Sequence, residues 1–371
     1  MKTVLVIGGG IAGMCAALEL RKRGLAVDLI EVDPEWRVYG AGITISASSL
    51  RAFQTVGLLS RILDAGATSD GLDLFLANGT PIGSVPAVPA AGSSIAATAG
   101  IVRPILARIL SEATLAAGVR VRLGMTFTSI VPTATGVTVA LSDGSTSHYD
   151  LVIGADGIQS RVRTTLFPHA PKPRYTGQVC WRAVVPRPET IRRAAMFLGR
   201  QIKAGLVPVS KDEMYLFFLE TRAAPDHLEA TQWPRLLREA LAGFGGPVAT
   251  VRDSLSAESK IVYRPLFALL MPQPWYLGRC ILTGDAAHAT TPHLASGAGL
   301  AVEDAIVLAE ELDKAASCEE ALSRFTARRY DRCRLVVENS VRLGDLERTG
   351  GSQEELQQLM RDSTMALAEP I

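Results

Sequence analysis

The first residues in this 371-residue chain whose types and spacing can do chemistry lie at its start. Gly8-Gly9-Gly10-Ile11-Ala12-Gly13 contains the spacing Gly8-x-Gly10-x-x-Gly13, and Glu31 follows eighteen residues after Gly13. Gly8 permits a tight turn, Gly10 lets a pyrophosphate approach the backbone, and Gly13 allows a helix to pack close to a strand. The phosphates would rest on the helix N-terminus at Ile11 and Ala12, where unpaired amides and the helix dipole favour negative charge. Glu31, with Val32 beside it, can accept hydrogen bonds from a ribose. The pattern predicts a bound dinucleotide but does not by itself distinguish FAD from NAD.

Such a site needs a strand, a helix and a second strand in that order. Residues 4–7 read as a short apolar strand, 11–23 as a helix and 26–31 as a strand ending at Glu31, a βαβ opening that implies a parallel sheet. Segment 119–155 alternates short β-rich runs with turns such as Ser142-Asp143-Gly144 and closes with Leu151-Val152-Ile153-Gly154. This pattern predicts a β-meander that returns to the central sheet. Residues 179–185, 204–209 and 214–219 read as strands of another sheet, residues 280–285 as a further strand, and the chain from Ala301 onward as helical. The last twenty residues, polar and rich in Gln and Glu, read as a peripheral helix or a frayed tail. There is no internal repeat.

Bulk properties narrow the partners. A chain of this length exceeds a single core and predicts two subdomains. A formal charge of +1 with 20% charged residues points away from nucleic acid and toward small molecules. The N-terminal apolar run is too short for a signal peptide. Leu74 to Val102 carries no charge, but Pro81, Pro86 and Pro89 interrupt it, so no membrane helix is expected and the chain reads as cytoplasmic. Cys15, Cys180, Cys280, Cys318 and Cys333 are scattered and read as buried free thiols rather than disulfides. His148, His169, His227, His288 and His293 show no ligand spacing, so no metal is expected.

Two later motifs choose the cofactor. Residues Asp150 to Arg163 contain Asp156, Gly157, Ser160 and Arg163, and Gly284-Asp285-Ala286-Ala287-His288 is followed by Pro292. With the glycine motif they resemble the single-component FAD-dependent aromatic hydroxylases related to para-hydroxybenzoate, salicylate and urate hydroxylases, over residues 3 to about 345. The resemblance implies an α/β fold: a Rossmann-like FAD-binding domain with a parallel sheet and β-meander, a smaller β-sheet substrate domain and C-terminal helices. The expected division is 1–72, 99–173 and 278–345 for FAD, 73–98 and 174–277 for substrate, and 346–371 as a peripheral tail.

The same resemblance implies roles. Asp156 lies near the pyrophosphate, and Asp285 bonds the ribityl chain, though it is also suited to cap a helix for Ala287 and His288. Arg37, Gly42 and Ile43 approach the flavin, and Arg103 opens a helix beside it, a solvated helix-start arginine being the plain alternative. Pro292 precedes the flavin-facing loop, whose Ala298 and Gly299 amides can stabilise an anionic flavin. That loop departs from the common Gly-Gln-Gly form with Ala295-Ser296-Gly297. His288 is ordinarily structural at this place in the family. Lys203 and Tyr215 fall where relatives place substrate-contacting groups. The lysine is suited to a substrate anion, and the tyrosine to a ring hydroxyl or its deprotonation. Their alternatives are a surface lysine and an ordinary strand tyrosine. Arg182 is a further pocket candidate, as is Trp181, which is better read as core.

The function implied is an oxidoreductase that uses NAD(P)H and O2 to hydroxylate a small aromatic or heteroaromatic substrate through a flavin hydroperoxide. The cofactor carries the hard chemistry, while the protein positions it and keeps the site dry. One glycine fingerprint implies that NADH or NADPH binds transiently, and the assembly is expected to be a monomer or homodimer. Epoxidase, dehalogenating hydroxylase and oxidase readings stay open on the same fold, with a non-catalytic flavin redox sensor and a plain NAD-dependent dehydrogenase behind them. Trp36, Trp181, Trp233 and Trp275 do not form the paired-tryptophan motif of flavin halogenases.

Overall fold

The computed structural model describes residues 1–37, 40–92 and 95–371. Apolar, β-branched residues make Thr3–Ile7 a buried strand, and the helix Ile11–Lys22 follows with Gly10 as its N-cap. Basic residues Arg21 and Lys22 complement the carboxyl end of that helix. Gly24, at φ +77°, then turns the chain into the strand Ala26–Glu31. Both strands pair in parallel, which is the expected βαβ unit.

Six strands form the central sheet, in the order Tyr276–Leu277, Cys280–Leu282, Leu151–Gly154, Thr3–Ile7, Ala26–Glu31 and Arg120–Leu123. The first pair is antiparallel and the rest are parallel. Phe127–Pro132, Val137–Leu141 and Thr146–Tyr149 make the antiparallel meander, and Leu151–Gly154 returns beside Thr3–Ile7, as the patterning predicts. The expected strand over 280–285 ends earlier, at Leu282. Gly284, at φ +57°, turns the chain, and Asp285 starts the helical turn Asp285–His288. Helix also begins before Ala301, running from Gly297 to Lys314.

A second sheet of seven strands runs in the order Ile261–Ala268, Arg174–Pro186, Glu213–Thr221, Lys203–Pro208, Ala194–Leu198, Gly71–Leu76 and Pro81–Pro86. Successive side chains alternate across it. One face buries Trp181, Leu206 and Phe218 against Leu237 and Val248, which come from the helices Trp233–Ala240 and Gly246–Ser254, and against Phe244 in the turn between them. Trp181 is therefore core. The opposite face carries Arg182, Lys203, Tyr215 and Phe217, by the register that sets Arg182 against Phe217, Lys203 against Leu219 and Val207 against Tyr215. This inward face packs on Ala41 and Val102 of the cofactor side. There Gly42–Ser46, Thr98–Val102 and Ala67–Ser69 form a small antiparallel sheet.

Two helices close the chain, Cys318–Thr349 and Gln353–Ala368. The second is docked rather than frayed: Arg332 donates to the carbonyls of Ala366 and Leu367, and Arg51 to that of Ala368. All five cysteines are free, and four are buried. Cys318 is only half-buried, against expectation, because it opens the long helix at the surface. Among the described residues no helix is long and apolar enough to cross a membrane.

One buried carboxylate ties these parts together. Asp304, fully buried in the helix Gly297–Lys314, accepts from the Gly284 amide at 2.9 Å, from His288 Nε2 at 2.6 Å and from Arg329 Nε at 2.8 Å. Burial alone would raise its pKa, yet His288 and Arg329 hold it well below the carboxylate range. Arg329 also pairs with Glu303 at 2.8 Å, and Glu303 binds both arms of Arg332 at 2.9 Å. Removing one partner of such a buried pair strands the others. Asp304→Asn is therefore expected to cost about 3–5 kcal/mol of unfolding free energy, read from urea melts; an unchanged midpoint would refute this anchoring role.

Candidate active site

Three separated sequence motifs meet at one edge of the central sheet. Gly8, at φ +111°, lies so close to the Asp-Gly segment that a methyl group there would sit 2.4 Å from the Ala155 carbonyl oxygen. A methyl group on Gly13 would stand 1.9 Å from the Gly8 carbonyl oxygen, which is the close strand–helix approach that the spacing predicts. Gly284 packs on Ala12, where an added methyl would be 2.8 Å away. Arg163 crosses from the Asp-Gly segment to donate to the Ala286 carbonyl at 3.0 Å. Above Gly10, by contrast, an added Cβ would meet no atom within 4 Å. The helix beginning at Ile11 has neither a side-chain cap nor an acidic residue in its first turn, so its Ile11, Ala12 and Gly13 end presents positive potential to that open side.

The acidic groups divide between structural and accessible. Glu31 accepts from the Gly9 amide at 2.7 Å and the Asp33 amide at 2.9 Å, which fixes its carboxylate beside the glycine turn. Val32 next to it is exposed. Trp36, which the sequence reading did not single out for the site, covers Gly9 and donates its indole N–H to the Gly9 carbonyl at 2.8 Å. Arg37 pairs with Asp33 at 3.1 Å. Asp156 is engaged within its own motif, accepting from the Ser160 hydroxyl and from the Val162 amide at 3.0 Å, while Ser160 caps the helix Arg161–Leu166. Asp285 differs. Gly284, rather than Asp285, is the cap, and its carbonyl accepts from Ala287 and His288, both at 2.9 Å. Asp285 is exposed between buried neighbours. Desolvation raises its pKa, with His288 and Arg103 partly offsetting the shift.

Arg103 opens the helix Arg103–Ala116 and donates its amide to Ala41 at 2.9 Å. Its side chain runs against Gly40, where an added methyl would lie 2.5 Å from Arg103 Cδ. Its Nε is buried without a partner, and burial, reinforced by Arg182, pushes the guanidinium down to about 10. Neither Arg103 nor Arg182 has a carboxylate within 4.0 Å among the described residues. Gly42 and Ile43 sit in the strand opposite Val102 and Ile101. Gly42 must be glycine here, because an added methyl would fall 2.0 Å from the Tyr215 ring. Tyr215 OH shares a 2.6 Å hydrogen bond with Thr44 Oγ1. Burial raises the Tyr215 pKa against the opposing pulls of Thr44 and Arg182, so its phenol stays protonated near neutrality.

Pro292 begins the short turn Pro292–Leu294, and Ala295, at φ +48°, swings the chain into the helix Gly297–Lys314. Ser296, the N-cap, turns its hydroxyl to the Leu294 carbonyl and caps no amide, leaving the first-turn amides around Ala298 and Gly299 without a side-chain acceptor. Gly299 abuts Ser49, with room for no side chain. Lys203 is not free: its ammonium pairs with Glu347. Glu347 and Thr44 were invisible as site residues because each gains its role only from a partner about 144 or 171 positions away.

His288, Asp304 and Cys333 place possible ligand atoms within 4.8 Å of one another, a cluster that spacing did not disclose. Arg329 sits in the same cluster and donates to Asp304. Burial opposes the His288 imidazolium, but Cys333 and Asp304 outweigh it and raise its pKa well above the ordinary value. Both oxygens of Asp304 are already engaged, one by His288 and Gly284 and the other by Arg329, and Arg329 is held by Glu303 as well, so the cluster is a structural ion network rather than an open set of metal ligands.

The accessible Asp285, the unpartnered Arg103 Nε, the bare space over Gly10 and two uncapped helix starts fit FAD. Comparison with known proteins agrees. The family model described as "FAD binding domain" matches residues 1–340. The 2-heptyl-3-hydroxy-4(1H)-quinolone synthase of Pseudomonas aeruginosa (strain UCBPP-PA14) is 34% identical over 93% of this chain and 89% of its own. The aurachin C monooxygenase/isomerase of Stigmatella aurantiaca is 32% identical over 93% and 89%. The structure of Klebsiella pneumoniae HpxO complexed with FAD and uric acid superposes with a TM-score of 0.85 at 26% identity, covering 100% of this chain and 93% of that one. Asp285→Ala removes an accessible carboxylate and is expected to weaken FAD binding about tenfold or more, measured by flavin fluorescence titration. An unaltered Kd would take Asp285 out of the cofactor site.

Proposed function

Because the chain belongs to the FAD binding domain family, we propose that it is an FAD-dependent monooxygenase that hydroxylates a small aromatic or heteroaromatic ring with NAD(P)H and O2. The observation that carries this reading is the convergence of three FAD-type motifs beneath the inward face of a second sheet bearing Tyr215, Phe217 and Arg182. A ring of the 4-quinolone type is the first candidate substrate, supported by the name of the Pseudomonas relative. The reading is of a cytoplasmic enzyme acting as a monomer or homodimer.

Bound FAD supplies the redox and oxygen-activating chemistry. The chain's own residues do the rest. Ile11, Ala12 and Gly13 receive the phosphates, with Glu31 at the ribose, Asp285 at the polyol and Arg103 beside the ring system. Gly42 and Ile43 line the ring, and the amides at Ala298 and Gly299 offer it partial positive charge. Pro292 holds the loop before them in shape. Tyr215, protonated and fixed by Thr44, is a hydrogen-bond partner for a ring oxygen rather than a base. Arg182 adds positive charge beside it, which favours the electron-rich anionic form of a hydroxylated ring. The apolar surroundings, Val207 and Phe217 among them, limit water at that end.

The first experiment is oxidation of NADH and NADPH by the FAD-loaded protein with 4-quinolones, phenolic acids, hydroxypyridines and purines, with mass spectrometry of products. A compound that accelerates oxidation and gains one oxygen atom is the expected outcome; faster oxidation that yields only hydrogen peroxide with every compound would replace the hydroxylase by an oxidase. Tyr215→Phe is expected to lower kcat/KM for the true substrate about 10- to 100-fold, the worth of one hydrogen bond to a charged or polarised oxygen, with FAD still bound. Unchanged turnover would remove Tyr215 from the site.

A further inference from the structure

Charge is distributed unevenly along the inward face of the seven-stranded sheet. Tyr215 lies toward one end and Lys203 and Gln178 toward the other, with Arg182 on the row between those of Tyr215 and Lys203; Lys203 is four residues, or roughly 13 Å, along the strand from the Val207 position that faces Tyr215. Arg182 has no carboxylate within 4.0 Å among the described residues. Lys203 has one. Its ammonium is hydrogen-bonded to Glu347 Oε1, which reaches in from the last turn of the helix Cys318–Thr349, and the two side chains are only 13% and 15% exposed. Gly344, one turn earlier on that helix, lets it approach closely: an added methyl would stand 2.7 Å from Gln178 Oε1 and 3.0 Å from His293 Cε1.

The second oxygen of Glu347 lies 3.3 Å from His293 Nε2, close enough for attraction but not aligned as a hydrogen bond. His293 shares its other ring nitrogen with Thr291 Oγ1 at 2.8 Å. Burial, followed by the Lys203 charge, lowers the His293 pKa, so this imidazole is neutral near pH 7. Burial opposes ionisation of Glu347, but Lys203 and then His293 bring its carboxyl down to about 2. The trio is therefore electrically neutral. Gln178 Oε1, Glu347 Oε2, His293 Nε2 and Arg348 Nε are all buried here without hydrogen-bond partners, so this end holds unsatisfied acceptors and donors alike, and what sets it apart is the pairing of its lysine.

We infer that Glu347 is a specificity-determining residue, which cancels the Lys203 charge so that this end of the cleft takes an uncharged edge of a heteroaromatic ring and refuses a carboxylate. This deepens the ring-hydroxylase reading and rests on it. An aromatic acid entering here would lose hydration without meeting an unpaired lysine, and it would face the Glu347 carboxylate. The ring's own oxygen is left to Arg182 and Tyr215, where the cations are not cancelled. The loop beginning at Pro292 takes part because His293 belongs to the same trio.

The test uses the FAD-loaded protein and benzoate, with binding read from perturbation of the bound flavin's absorbance. Glu347→Gln leaves Lys203 unpaired and is expected to bind benzoate at least about tenfold tighter than the natural chain. Lys203→Met/Glu347→Gln, which restores neutrality, is expected to lose that gain. Equal benzoate affinity in the natural chain and E347Q overturns the inference. Should E347Q fail to hold FAD, Lys203→Met is compared with the double variant. The uncancelled Glu347 is then expected to weaken benzoate binding about tenfold, and equality between those two overturns the inference as well. A natural chain that takes up no FAD would overturn the underlying hydroxylase reading instead, a separate and distinguishable result.

Discussion

The architecture depends on one buried carboxylate. Asp304 binds the amide of the Gly284 turn, the imidazole of His288 and the guanidinium of Arg329, three groups from two segments, and none of them can change partner without leaving a charge or donor unsatisfied in the core. Through Gly284 it sets the turn that packs on Ala12 and presents Asp285. Through Arg329, Glu303 and Arg332 it reaches the C-terminal helix. The cofactor cleft is thus held from behind by ions that never face it. His288 belongs to this support through its bond to Asp304.

The seven-stranded sheet applies a different constraint. Period-two alternation gives it one apolar face, sealed by two helices, and one mixed face turned to the cofactor side. A one-residue slip would exchange Trp181 for Arg182 and Leu216 for Tyr215, burying charge and exposing the core. Packing of the outer face therefore aims the inner one. At the Tyr215 end, glycine at position 42 allows the ring to close against the small antiparallel sheet. At the Lys203 end, glycine at position 344 lets the long helix bring its carboxylate to the lysine. Both contacts join segments far apart in the chain.

Sequence reading located the βαβ unit, the meander and three of the seven strands of the second sheet, because each is written in local periodicity; Arg174–Pro186 begins five residues before the expected 179, and Gly71–Leu76, Pro81–Pro86, Ala194–Leu198 and Ile261–Ala268 were not singled out. It erred where backbone geometry overrides composition: the apolar run after Cys280 stops at Leu282 because Gly284 turns the chain, and the cap falls on Gly284 rather than Asp285. Cys318 looked like a core thiol by type but heads a surface helix. Tyr215, Arg182 and Lys203 could be nominated as strand residues with the right chemistry. Their charge states could not, since Lys203 differs from Arg182 only in having Glu347 beside it.

By itself, then, the sequence determined what depends on near neighbours: the glycine turn, the helix starts, the alternation of the strands and the family to which the motifs are similar. Tertiary structure alone decided which buried charges are cancelled and which remain. Asp304 joins Arg329, Lys203 joins Glu347, and Arg182 meets no carboxylate among the described residues. The physical reason is that an ion's value inside a protein is set within a few ångströms by partners that folding supplies from anywhere in the chain, whereas helix and strand periodicity is set by residues only a few positions away.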